Sequence, residues 1–323
     1  MRAGGVVAVA LGALLVPAAA AAVVDRGGGT DAVLTSEERV DPVYGQGIAR
    51  VDGGWIMSGR STLGRLDDAL VETLRVGSVI PPDWVARGFD HVGDPDVYAG
   101  FLYAPLEQPD YERGEQATAR YDPVTLAFVD ATTVPQHENS FVTVDGDGVA
   151  YSMDRFGGDA LVRYDVDAGW KPLDPIRLSR TVERVQGGDV VGGIAWLSTD
   201  DDDNGIYRVD LASGKVDQVG SAGHLDGEGE GIDATELTSG TIHTLTVDAA
   251  ITPVWLGHFE VGEPAGSAPP TTAARREDDA VDSSWPPILV ALVLLVGTGA
   301  VVAGVVVVRQ ARTAARTGRT RPE

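Results

Sequence analysis

The sequence contains no cysteine, only two lysines (Lys171 and Lys215), three methionines and 6% aromatic residues. Without cysteine there is neither a disulfide nor a thiolate metal site. An exported domain of this kind must rest on its packed core or on bound ions. Basic side chains are scarce where a folded domain is expected. Setting aside Arg2, the five arginines after residue 308 and Glu323, 19 basic residues face 47 acidic ones, a balance near −28. Such a surface repels nucleic acid and anionic lipid and suits cations, basic partners or plain solubility. Long helical periodicity is missing between residues 30 and 262. No Gly-rich phosphate loop follows a strand and opens a helix. No nucleophile elbow is present, and the serines and five histidines are too scattered to assemble a Ser-His-Asp triad by spacing.

What is present is a repeat. Arg120-Tyr121-Asp122 returns as Arg163-Tyr164-Asp165 and as Arg208-Val209-Asp210, each closing a short apolar strand. Arg65-Leu66-Asp67 is a looser early copy, and Leu245-Thr246-Val247-Asp248 reads as a late one with Thr for Arg. The steps from copy to copy are 55, 43, 45 and 38 residues. A second landmark is a polar cluster before the first strand of each unit. From Gln46 to His91, His137, Gln186 and Glu230 its steps are 45, 46, 49 and 44. A period near 45 filled with strand patterns indicates a β-propeller, one repeat per blade. Five units fit residues 33–261, and six remain possible if one has diverged. The fold class is therefore all-β, a five-bladed propeller with a C-terminal single transmembrane helix.

The hairpin signals agree with this reading. Asp52-Gly53-Gly54, Asp145 to Gly148 and Asn204-Gly205 each separate two apolar runs. Residues 33–44 are expected to hold a strand that pairs with the last blade and closes the ring.

The two ends have another character. Arg2, the apolar run Val6 to Val16 and the Ala-rich stretch to Ala22 make residues 1–22 a secretory signal peptide, cleaved near Ala20 or Ala22; an uncleaved N-terminal anchor is the alternative. Residues 262–287, with Pro264, Pro269 and Pro270, read as a stalk. Residues 288–308 are free of charge and long enough for a transmembrane helix in the lipid bilayer. The basic tail 309–323 then predicts a single-pass type I protein of the cell membrane, with the propeller extracellular.

The segments RYDPVT, RYDVDAG and RVDLASGK resemble bacterial surface propellers of the broad NHL, YVTN and SMP-30-like group, over about 230 residues. The resemblance implies a fold that hosts hydrolases, lyases, lactonases and pure binding modules, and it carries no catalytic set.

Within that frame the Arg-x-Asp pairs are read as braces, with Asp capping the next turn. The polar clusters line the channel mouth, where Gln46, His91, Asp94, His137, Glu138, Gln186, Glu228 and Glu230 would converge as a ligand ring. Asp200, Asp202 and Asn204 have the alternate oxygens of a calcium loop, but Leu211 stands where its closing Glu belongs, and the same residues also suit a tight turn. Calcium is the expected ion. Two functions stay open. One is a non-catalytic surface module that binds an extracellular ligand or protein at the channel mouth with cation assistance. The other is a metal-assisted hydrolase or lyase using His91, Asp94, His137 and Glu230. A passive envelope protein is a third possibility.

Overall fold

A computed structural model describes residues 31–154, 158–223, 227–248 and 253–262 in full, and the backbone of 292–297 and 300–305. The first strand, β1 (Ala32–Val40), belongs to the last blade. Blade 1 follows as β2 (Gly47–Val51), β3 (Gly54–Gly59), β4 (Thr62–Asp67) and β5 (Glu72–Gly77). Blade 2 holds β6 (His91–Val92), β7 (Asp96–Tyr98), β8 (Phe101–Glu107), β9 (Gln116–Tyr121) and β10 (Phe128–Val134), with its inner strand broken at Gly93-Asp94-Pro95. Blade 3 is β11 (Thr143–Val144), β12 (Val149–Met153), β13 (Ala160–Asp165) and β14 (Lys171–Arg177). Blade 4 is β15 (Val185–Val191), β16 (Ile194–Thr199), β17 (Gly205–Asp210) and β18 (Lys215–Ser221). Blade 5 is β19 (Glu228–Asp233), β20 (Thr241–Val247) and β21 (Val254–Val261), completed by β1 on its outer edge, with Ala32 opposite Val261 and Val40 opposite Val254. The fold is a five-bladed β-propeller, and its ring is closed by the N-terminal strand as the pattern of residues 33–44 predicted.

The core is not one mass but five wedges, one between each pair of neighbouring blades. Ile56 and Leu63 of blade 1 meet Leu102 and Tyr121 of blade 2. Tyr103 and Val134 meet Ala150 and Tyr164 of blade 3. The other three wedges join blades 3 and 4, 4 and 5, and 5 and 1. A sheet packed on both faces needs apolar residues at successive positions. For that reason β3 and β16 are buried along nearly their whole length.

The Arg-x-Asp motif behaves as a brace. Asp67, Asp165 and Asp210 end the third strand of blades 1, 3 and 4, Asp122 directly follows that of blade 2, and each accepts at least one amide hydrogen from the turn that follows. Arg120 pairs with Asp130 on the next strand, and Arg163 donates to the carbonyl of Asp174. The expected fifth copy is a correction. Asp248 follows β20, the second strand of its blade and not the third. Blade 5 takes its outer strand from the far end of the chain, so its internal spacing departs from the repeat.

The second compact unit begins at Ala268. In it the described part of 288–308 forms an antiparallel strand pair, β22 (Leu292–Gly297) and β23 (Ala300–Val305), where a helix was expected. The run is rich in valine, a strand-favouring residue type, and contains glycine, a poor helix former. Among the described residues no helix is long and apolar enough to cross a membrane. The predicted signal peptide, stalk and tail lie outside the described residues, apart from Gly262.

Candidate functional site

The five inner strands surround the axis, and equivalent residues form rings across it. Gly47, Asp94, Phe141, Gly187 and Gly231 make the central ring. Asp94 is fully buried and touches every blade. Its Oδ1 accepts from the amide of Ile48 in blade 1 at 2.8 Å. Its Oδ2 accepts from Gly188 of blade 4 at 3.1 Å and Ile232 of blade 5 at 3.2 Å. Its own backbone bridges to blade 3 through the carbonyl of Ser140 and the amide of Val142. A Cβ on Gly47 or Gly231 would overlap this carboxylate, and one on Gly188 would overlap the ring of Phe141. Glycine is required there because Asp94 and Phe141 plug the axis. Burial pushes the pKa of Asp94 well up, against the pull of its three amide donors. With both oxygens committed to backbone, Asp94 serves as the hub of the fold and is not presented at a mouth.

Two residues further along each strand lies a second ring, Ala49, Asp96, Thr143, Asp189 and Asp233, with steps of 47, 47, 46 and 44. Each polar member accepts an amide hydrogen from the next blade. Asp96 accepts from Val144 at 2.7 Å, Thr143 from Val190 at 3.0 Å, Asp189 from Ala234 at 2.6 Å and Asp233 from Arg50 at 2.6 Å. Ala49 has no side-chain oxygen. The amide of Val97, which would be its partner, bonds to the adjacent Asp96 instead, at 2.5 Å. Burial, together with mutual repulsion within the ring, raises Asp96 to about 6 and Asp189 well above its usual range. This trailing mouth, where the inner strands end, was missed in the sequence reading. Its signal, a third period in step with the other two, was available.

At the leading mouth, where the inner strands begin, the ring is Gln46, Gly93, Ser140, Gln186 and Glu230. Glu230 is 6% exposed, and no hydrogen bond reaches its carboxylate from any described residue. Burial raises its pKa well above the ordinary value, and Glu228, Asp200, Asp94 and Glu107 push it the same way. Glu107 and Glu138 are buried at this mouth too, and one oxygen of Glu107 accepts from the amide of Asn139 at 2.6 Å. Of the predicted ring, Gln46, Gln186, Glu228, Glu230 and Glu138 gather here. His137 sits on the rim, with Nδ1 2.8 Å from Asp154. His91 lies to the side near Arg60 and Asp90, and burial lowers its pKa to about 4. The four residues proposed for catalysis therefore do not form one contiguous set.

The acidic turn in blade 4 folds as a tight hairpin. Asp201, outside the predicted triplet, organises it by accepting from the amides of Asp203 and Gly205 and from the hydroxyl of Tyr207. Asp200 is held by Arg184 through two contacts of 2.6 and 2.7 Å. Asn204 adopts φ 44° and donates to the carbonyl of Gly227 at 3.0 Å. Asp202, at the tip, lines a depression of about 300 Å³ with Glu183, Arg184, Asp201 and Asp203. Asp200, Asp202 and Asn204 thus do not point at a common centre. Among the described residues no group of three His, Asp or Glu is disposed to hold a metal ion.

No family model matches the chain, and no curated protein matches it. Solved structures do. A glutaminyl cyclase from Myxococcus xanthus superposes with a TM-score of 0.53 at 16% identity, covering 72% of this chain and 98% of that one. A hydrazine synthase from Kuenenia stuttgartiensis gives a TM-score of 0.40 at 14% identity, over 64% of this chain and 57% of that one. The first likeness is one of fold, and the second is too weak to add to it. The likeness to the NHL, YVTN and SMP-30-like group likewise stays a resemblance of repeat pattern.

A further cluster lies at the closure of the ring. His243 and His258 face each other with Nδ1 atoms 2.7 Å apart. Glu236 lies 3.1 Å from Nε2 of His243 and accepts from Arg50 at 2.9 Å, and Trp55 of blade 1 packs edge-on against His243. Burial lowers the pKa of both histidines.

Proposed function

We propose that the protein is a membrane-anchored extracellular propeller that binds a ligand or partner at its leading mouth. The observation that carries this reading is the contrast along the axis. Asp94 bridges the blades across the axis, and the leading mouth on one side of it gathers the buried acids Glu230, Glu107 and Glu138. Of its ring side chains, Gln46 bonds only to the adjacent Gly45 carbonyl and Glu230 accepts from no described residue, whereas the acids of the trailing ring each accept an amide from the next blade. In a bilayer, the uncharged stretch 288–308 would form a helix, because lipid leaves no partner for the outer edges of a two-stranded hairpin. The arginines that follow it would keep the tail inside.

The test is a thermal-unfolding survey of the full chain in detergent with calcium, zinc, n-butylamine, glucose and acetate. A ligand of the native state raises the midpoint by mass action. A rise that disappears in Gln186→Trp, which fills the mouth, supports the reading. Rises indifferent to that substitution, or none at all, sink it.

The second reading, a hydrolase or lyase, draws on the His137–Asp154 pair. Asp154 holds Nδ1 and so would orient the other ring nitrogen as a general base at the rim. A fold like this one carries an enzyme in the glutaminyl cyclase of Myxococcus xanthus. Any turnover discovered should then fall by roughly 100-fold or more in His137→Gln with the fold intact.

A further inference from the structure

We propose that Glu230 is the acceptor for a primary ammonium group carried by the ligand of the leading mouth. The inference rests on the mouth being the binding site, and it names the chemistry that would be recognised there. Glu230 is more than nine-tenths buried, yet its carboxylate receives no hydrogen bond from any described residue. Its oxygens are not among the fully enclosed unsatisfied atoms, so they stay open to an incoming donor, while the protein supplies them neither donor nor positive charge. Its acidic neighbours supply neither. Asp94 and Glu107 come from blade 2, on the other side of the axis, and Asp200 from blade 4, so the group sits among other acids.

The neighbouring positions limit what can complete it. Asp94 is saturated by three amides, Asp200 is held by Arg184 and Glu107 already serves Asn139. A divalent cation such as calcium needs six or more oxygens, and no trio of acids or histidines is disposed to start that shell among the described residues. An ammonium group needs only three acceptors. The ring places Glu230 between Gln186 of blade 4 and Gln46 of blade 1. The close approach of Gly187 to Gly231, and of Gly231 to Gly47, fixes that neighbourhood. Gln46 spends its Nε2 on the carbonyl of Gly45 at 2.6 Å, which leaves its amide oxygen as an acceptor. One carboxylate flanked by two neutral amides balances a single positive charge, and the amides add hydrogen-bond acceptors without adding charge. The net negative surface would draw such a ligand in.

The experiment measures binding of n-butylamine, at a pH where it is protonated, to the full chain in detergent, by calorimetry and by thermal midpoint. Tetramethylammonium, which has the charge but no N–H, and calcium serve as the other probes at equal ionic strength. The expected result is saturable binding of butylammonium that weakens roughly tenfold or more in Glu230→Gln. Asp202→Asn, on the exposed turn, should leave it unchanged. Equal binding by wild type and Glu230→Gln overturns the proposal. So does equal binding of tetramethylammonium, which would show unspecific attraction, or a calcium response that depends on Glu230, which would show a metal site. Butylammonium binding lost in Gln186→Trp but kept in Glu230→Gln would leave the mouth standing and remove the ammonium acceptor. Binding unaffected by both substitutions would remove the two together.

Discussion

The two mouths of the propeller are made from the two ends of the same five strands, and they treat buried carboxylates in opposite ways. At the trailing mouth Asp96, Asp189 and Asp233 each accept a backbone amide from the next blade. Their burial is offset bond for bond, and they staple the ring. At the leading mouth Glu230 is as buried as Asp189 and Asp233 and staples no described residue. A buried acid needs donors or a counter-charge, either from the backbone around it or from something outside. The axis separates these two cases by a few residues of strand, with Asp94 as the divide.

The strongest way to break that comparison is to remove the divide. Asp94→Ala orphans three buried amides and opens a void against Gly47 and Gly231. A loss of at least about 3 kcal/mol is expected in urea unfolding. A loss under 1 kcal/mol would mean that the hub is dispensable. Next in size is Asp189→Ala, which leaves the amide of Ala234 without its acceptor. It should lower stability by about 1–3 kcal/mol with no change in any ligand response at the leading mouth.

Acidity sharpens the contrast further, because two sites pull in opposite directions. Asp96 is raised in the folded state, so its share of stability is full below the ordinary value near 3.8 and is lost as pH rises through about 6. His243 and His258 are lowered. Below about 6.5 the unfolded chain therefore takes up protons that the native pair refuses, and stability falls as pH drops. Unfolding midpoints compared across this range should flatten on the rising side in Asp96→Asn, and on the falling side in His258→Gln. If both variants keep the wild-type profile, neither group is the titrating one.

The smallest effect belongs to the leading mouth. Glu230→Gln removes a buried acid that repels its neighbours and breaks no hydrogen bond to a described residue. Stability near pH 7 should be unchanged or higher by up to about 1 kcal/mol. A loss larger than 1 kcal/mol would class Glu230 with the staples.

Much of this was legible in the chain. The Arg-x-Asp spacing and the polar clusters located the blades, and the asparagine and aspartate turns marked their hairpins, because turn chemistry is local. The period failed only where the ring closes. The fifth Arg-x-Asp copy belonged to a different strand, since blade 5 borrows β1 from the far end of the chain. The apolar run after residue 287 was also read as a helix where the described residues pair as strands. In the acidic turn, the sequence suggested alternate ligands where the fold uses Asp201 as a turn cap.

Period, turn residues and composition are properties of neighbours along the chain, and from them follow the short-strand repeats of a propeller, five or six blades, a negative surface and no covalent staple. What the acids along the axis do follows from the closed ring. Asp94 looked like a mouth residue and became the hub, and Asp96, Asp189 and Asp233 drew no notice and became staples. Glu230 accepts no hydrogen bond from any described residue. These roles depend on which amide of another blade arrives within about 3 Å. That distance joins residues tens to nearly two hundred positions apart, and ring closure alone sets it.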